Sequence, residues 1–262
     1  MSTLLYDSPT IVIVGILFIL MVMLHWAGFR LRKSRQRKQP ASDTDGAGAV
    51  EGSMLGLLAL LLAFTFGMSS SRYDDRRSVL VQEANDISTV ILRADLYPDS
   101  LRKMLRQELK QYLESRISYY EAGYDDTKIA AALKTSSALS ARLWSKVTQA
   151  GHDNHYLLAT QQMVPAMNNM FDSATTRDAS RNAHVPDSIL WLLFLLTLTA
   201  SFIIGYGNKQ AKIDKIVVAG FALMTALTIF LILDLDRPRR GIITMDSAHQ
   251  KMIELRELVQ DK

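Results

Sequence analysis

The sequence predicts an all-α integral membrane protein. Four transmembrane helices, in two pairs, bracket a helical extramembrane domain, and the second span is continuous with a long helix. Three observations carry this prediction. Four stretches without Asp, Glu, Lys or Arg, at 11–29, 52–71, 188–208 and 216–233, have close to the length of roughly 20 apolar residues that a helix needs to cross a bilayer. Between the second and third stretches, residues 72–187 carry 15 Lys+Arg and 15 Asp+Glu, far too many charges to sit in lipid. No pattern of alternating apolar and polar residues in 72–187 marks a β-strand, whereas apolar residues recur there at helical spacing.

Residues 1–29 form an N-terminal tail and the first span. They do not read as a cleaved signal peptide, because residues 1–10 carry only Asp7 and the positive charge comes after the apolar core. Arg30, Arg32, Lys33, Arg35, Arg37 and Lys38 follow the span directly and open a basic flexible linker, 30–52. Basic residues near span ends stay cytoplasmic, which places the N-terminus outside and suits the 30–38 run to anionic lipid head groups.

The second span, 53–71, carries a stripe. Gly52, Gly56, Ala59, Ala63 and Gly67 recur at intervals of 4, 3, 4 and 4 and so share a helical face. Beside them lie Leu57, Leu61, Phe64 and Met68. Small residues let helix backbones approach closely in lipid. Two arrangements follow: a tight helix pair within one subunit, or packing against copies of the same helix around an axis, with the bulky face narrowing a pore. No breaker follows Ser71, so one helix is expected from 53 to 95, ended by Pro98.

The extramembrane domain, 72–187, is expected to hold helices over 99–120, 126–149 and 155–180, with a turn at Gly123 and a kink at Pro165. Asp187 or Ser188 is expected to cap the third span, 188–208. A short loop, 209–215, makes spans three and four a tight antiparallel hairpin. The fourth span, 216–235, leads into a tail, 236–262, with an amphipathic helix. At its exit Asp234 and Asp236 are candidates for a charged latch to Arg72 and Arg76, or for a charged ring at a pore mouth.

Composition narrows the chemistry. The chain has no cysteine, which removes disulfides, thiolate metal sites and cysteine nucleophiles. The balanced charge of 72–187 lacks the basic excess of a nucleic-acid face. No phosphate-binding glycine loop and no nucleophile elbow occurs, so no catalytic residue, metal ligand or cofactor is assigned. His152 and His155 flank Asp153 at a turn without metal-ligand spacing. His25 is placed at the membrane interface beside Trp26.

The run from Gly52 to Gly67, with Phe64-Thr-Phe-Gly67, continues through Arg72-Tyr73-Asp-Asp-Arg76-Arg77 to Gln82-Glu83-Ala84-Asn85-Asp86. Together with Leu92-Arg-Ala-Asp95-Leu-Tyr-Pro98 and the ending Leu233-Asp234-Leu-Asp236-Arg237-Pro238-Arg-Arg-Gly241, it resembles the bacterial bestrophin-like family, itself remotely similar to bestrophin ion channels. The resemblance implies a homo-oligomer, pentameric as in bestrophins, that passes ions of the anion type through an apolar neck on the second span. Leu57, Leu61, Phe64 and Met68 are the neck candidates it implies, in a bacterial inner membrane; it also implies a cytosolic 72–187 domain and cytosolic termini, the opposite of the orientation that the basic run favours. The alternative is a membrane-anchored sensor or scaffold acting through the 72–187 bundle.

Overall fold

The computed structural model describes residues 8–38, 47–208, 213–237 and 241–260. The expected boundaries that fall on 1–7, 39–46, 209–212, 238–240 and 261–262 lie outside the described residues. The described residues form α1 (Thr10–Lys38), α2 (Ala47–Ala94), α3 (Asp99–Glu121), α4 (Asp126–Ala150), α5 (Leu157–Arg181), α6 (Asp187–Gly207), α7 (Lys215–Asp236) and α8 (Asp246–Val259). A short 3-10 turn, Asn154–Tyr156, precedes α5. α1, α2, α6 and α7 are long and apolar enough to cross a membrane.

The chain divides into two compact units. One comprises the chain up to Tyr73 and His184–Ile242; the other comprises Asp74–Ala183 and the chain from Ile243. α2 is a single 48-residue helix that contributes to both. It begins in what the sequence assigned to the linker. α1 also runs further than its span, through the basic residues to Lys38. Arg, Lys and Gln are good helix formers, and nothing in 30–38 breaks the turn. The stretch expected as linker is therefore helical over 30–38 and 47–52.

The first unit is built on α1, which packs along both α6 and α7. Leu17 and Met21 of α1, Leu58 of α2, Leu193 of α6 and Ile229 of α7 belong to one buried apolar cluster. Spans three and four, expected as a tight hairpin, each pack chiefly on α1, and part of the loop between them lies outside the described residues. Among the described residues both helices lean on α1 rather than on each other.

The reason lies at two glycines. A Cβ on Gly28 would overlap the Phe202 carbonyl, and one on Gly205 would overlap the His25 carbonyl, so α1 and α6 touch backbone to backbone. The Ser201 hydroxyl, 2.7 Å from the Met21 carbonyl oxygen, donates to it across the same contact. The order of these contacts makes α1 and α6 parallel. His25 is correspondingly buried against α6.

Helix ends follow local chemistry. Asp214 caps α7, its carboxylate accepting from the N–H groups of Ile216 and Val217. Pro186, not Asp187 or Ser188, holds the N-cap position of α6 and makes no side-chain cap bond; Asp187 sits in the first turn, where its charge suits the helix dipole.

In the second unit α3 packs against α4 and α8, and α5 against α4. Pro98 occupies the N-cap of α3, and Gly123, at φ +57°, makes the α3–α4 turn. Asp125 caps α4. Leu109, Leu113, Ile117, Val147, Met167 and Met252 supply the buried apolar positions of its four packed helices. α8 is fastened to α3 by a bidentate pair, Arg256 to Glu114, at 2.8 and 2.7 Å.

Candidate functional site

The membrane half of α2 presents an open face. Among the described residues, nothing beyond the helix's own neighbouring backbone lies within 4 Å of a Cβ added at Gly52, Gly56 or Gly67, and Ala59 and Ala63 are exposed as well. Leu57 is 53% exposed and Phe64 64% exposed. The four neck candidates therefore divide. Leu57 and Phe64 stand on the open face, while Leu61 and Met68 pack against the apolar cluster of their own protomer. Thr65 and Ser69 are buried on the inward side, and the Thr65 hydroxyl, 2.6 Å from the Leu61 carbonyl oxygen, donates to it. The small-residue stripe is thus not what joins helices within one chain; Gly28 and Gly205 do that. They went unnoticed in the sequence because neither belongs to a repeat.

The exit of α7 is a buried polar knot. Asp234, Asp236 and Arg237 are all buried. The Asp236 carboxylate accepts from the Val185 N–H at 3.0 and 3.2 Å, just ahead of α6. Asp234 accepts from the Ile242 N–H at 3.1 Å, and its carboxylate fills the space a Cβ at Gly241 would need. Arg237 donates to the Ser8 carbonyl at 2.7 Å and to the Thr10 hydroxyl at 3.0 Å, tying the end of α7 to the start of α1. Arg72 is half-buried, and the Arg76 guanidinium donates to the Ala183 carbonyl at 3.2 Å.

In the second unit a charged cluster lies inside the core. Glu83, on the part of α2 beyond the apolar span, is 0% exposed and accepts from both Arg116 of α3 and Arg177 of α5. The Tyr119 ring lies 4.8 Å from the Arg116 guanidinium and 5.1 Å from that of Arg177. The Tyr119 hydroxyl donates to Asp178 at 2.8 Å. Burial by itself would push the Glu83 carboxyl up; the two guanidiniums outweigh it and hold it below the usual carboxylate range. Burial also pushes the neighbouring Tyr112 phenol up to about 12. The signal for this cluster in the sequence was an arginine on an apolar face: Arg116 lies between Leu113 and Ile117.

Asp153 accepts from the N–H of His155 and from its ring, and these bonds hold its carboxyl below the ordinary range. This is a capped turn. Among the described residues no group of three His, Asp or Glu side chains could hold a metal ion.

The basic end of α1 divides by face. Arg32 donates to the Tyr206 and Gly207 carbonyls at 3.0 and 2.7 Å, closing the C-terminus of α6. Arg35 donates to the Tyr206 hydroxyl at 3.0 Å. Arg30 instead stacks on Trp26, 3.6 Å from the ring centre.

Four apolar helices, one of them running far past its span with an open small-residue face, define a multi-pass helical membrane protein of bestrophin-like fold. The chain belongs to the bestrophin-like family, since the family profile, described as a Bestrophin-like domain, matches residues 15–248. Solved structures share the fold. A bacterial bestrophin homolog from Klebsiella pneumoniae with a leucine-to-threonine mutation matches with a TM-score of 0.70 and 12% identity, over 94% of this chain and 97% of that one. The same homolog with an isoleucine-to-threonine mutation matches with a TM-score of 0.66 and 11% identity, over 93% and 99%. A membrane protein with a proline-to-alanine mutation matches with a TM-score of 0.66 and 11% identity, over 95% and 99%. Comparison with curated proteins gives no match by sequence.

Proposed function

We propose that the chain assembles with copies of itself around an axis, as a pentamer by likeness to bestrophins, and conducts ions of the anion type along the open face of α2. The observation that carries this reading is that face: Gly52, Gly56, Ala59, Ala63 and Gly67 stand uncovered in a single chain, with Leu57 and Phe64 projecting beside them. In lipid such small residues favour helix–helix approach, and a ring of Leu and Phe side chains forms an apolar constriction that gates by dewetting. Leu57 and Phe64 are the principal neck residues, and Leu61 and Met68, which lean into their own protomer, back them. No residue is asked to do catalysis and no cofactor is required.

The direction of α1 and the six basic residues at its end support an N-terminus outside the bacterial inner membrane. A cytoplasm-only fluorescent reporter fused after Lys262 should then stay dark. The latch between Arg72 or Arg76 and Asp234 or Asp236 remains a proposal as well: paired charge reversals should restore assembly that the single reversals lose.

The test of the main reading is single-channel recording of the purified chain in planar bilayers, with its assembled mass measured alongside. A ring of about five copies with unitary currents, and larger currents from Phe64→Ala, is the expected result. A monomer or two-fold dimer without currents would favour the sensor or scaffold instead.

A further inference from the structure

The side of α1 that faces away from the other helices changes character along its length. Towards the core, Met21, His25, Gly28 and Arg32 are buried, at intervals of 4, 3 and 4. On the opposite side Ile16, Ile19, Met23 and Trp26 are exposed, at intervals of 3, 4 and 3. The same row continues as Arg30, Lys33 and Arg37, at further intervals of 4, 3 and 4, all exposed. One straight stripe is therefore apolar, then aromatic, then basic.

The basic end of the stripe is unspent. Arg32 and Arg35, on the other side of the helix, are committed to the end of α6. Among the described residues none of Arg30, Lys33 or Arg37 pairs with a carboxylate. The Arg30 guanidinium lies over the Trp26 indole, 3.6 Å from the ring centre, and tryptophan is a residue that favours the boundary between hydrocarbon and head groups.

We propose that this stripe of α1 is a binding site for an anionic phospholipid. Its acyl chains lie along Ile16, Ile19, Met23 and Trp26, and its phosphate is held by Arg30 and Lys33, with Arg37 adding to the local field. The order of the side chains matches the order of groups in such a lipid. A second copy, which in a ring would meet this stripe with a different surface, is the rival occupant that the test below separates from a lipid. The uncommitted arginine fork suits a phosphate, which it meets with two parallel hydrogen bonds.

The test uses the purified full chain in neutral detergent, loaded with phosphatidylglycerol, phosphatidylcholine or inorganic phosphate, and native mass spectrometry to count retained adducts. A juxtamembrane cation is worth roughly fivefold in affinity for an anionic surface. The chain should retain phosphatidylglycerol at least about tenfold over phosphatidylcholine, and the R30Q/K33Q/R37Q variant should bring the two within about twofold. A K103Q/K134Q variant, which removes two exposed cations from the second unit, should keep the preference. Persistence of the preference in the triple variant, its absence in the parent chain, or displacement of the lipid by inorganic phosphate would each overturn the proposal. A changed assembly mass in the triple variant would also overturn it and give the stripe to a second copy.

Should the triple variant fail to fold, a W144F/W191F chain leaves Trp26 as the sole indole. Phosphatidylglycerol brominated in its acyl chains should quench that fluorescence more than brominated phosphatidylcholine, and equal quenching overturns the proposal.

Discussion

Glu83→Gln isolates the buried charge cluster with almost no change of shape. In the parent chain the Glu83 carboxylate neutralises one of two guanidiniums and hydrogen-bonds both, with side-chain exposures of 0% for Glu83, 2% for Arg116 and 6% for Arg177. The amide offers one acceptor oxygen and no charge, so two buried cations face each other without compensation. Removing one partner of a buried ion pair costs about 3–5 kcal/mol. For a chain of this size, roughly 2–4 °C per kcal/mol makes that a fall of about 6–20 °C in Tm. The assay is thermal denaturation of the purified chain in neutral detergent, followed by circular dichroism.

Acid adds a second readout. Because the native carboxyl is held below its usual range, the cluster's contribution is complete above the unfolded-state pKa and is lost as pH falls through the native one. Glu83→Gln should therefore flatten the acid limb of the stability profile. A variant melting within a degree of the parent, with the acid limb unchanged, would refute the reasoning.

Three further outcomes are expected. Gly205→Ala forces a methyl into the His25 backbone carbonyl and should cost about 1–3 kcal/mol or more, read as a lower Tm, whereas Gly56→Ala meets open space inside a helix, where alanine is favoured over glycine, and should show no such fall while altering assembled mass or current. Asp125, whose carboxyl is held down to about 2 by the Thr127 hydroxyl and the Lys128 N–H, should titrate at about that value by carboxyl carbon NMR, and Asp125→Ala should lower the helicity of α4. Arg256→Ala breaks a half-exposed pair with Glu114 and should cost no more than about 1 kcal/mol, while proteolysis near α8 becomes faster.

What was legible in the sequence was local. Pro98 and Gly123 punctuate the second unit where the helices end, because a missing N–H and a positive φ act on their own neighbourhood. The four spans were legible because lipid demands unbroken apolar length. The partners of those spans were not. Nothing near Gly28 points to Gly205, and the parallel pairing of α1 with α6 exists only once the chain has returned to the same side. The Glu83 cluster joins residues 33 and 94 positions apart, so periodicity shows each on its own helix and not their meeting. The open face of α2 was half legible: its small stripe was plain, but burial was needed to see that Leu57 and Phe64 face out while Leu61 and Met68 face in.

Whether ions travel past Phe64 can be read with one introduced thiol, since the chain has no cysteine of its own. In planar-bilayer recordings of Phe64→Cys, a bulky charged methanethiosulfonate, which leaves a mixed disulfide on the thiol and releases a sulfinate, should extinguish the current, and a reductant that cleaves that disulfide should restore it. A current that persists unchanged while mass spectrometry finds the thiol fully labelled would contradict a path along α2.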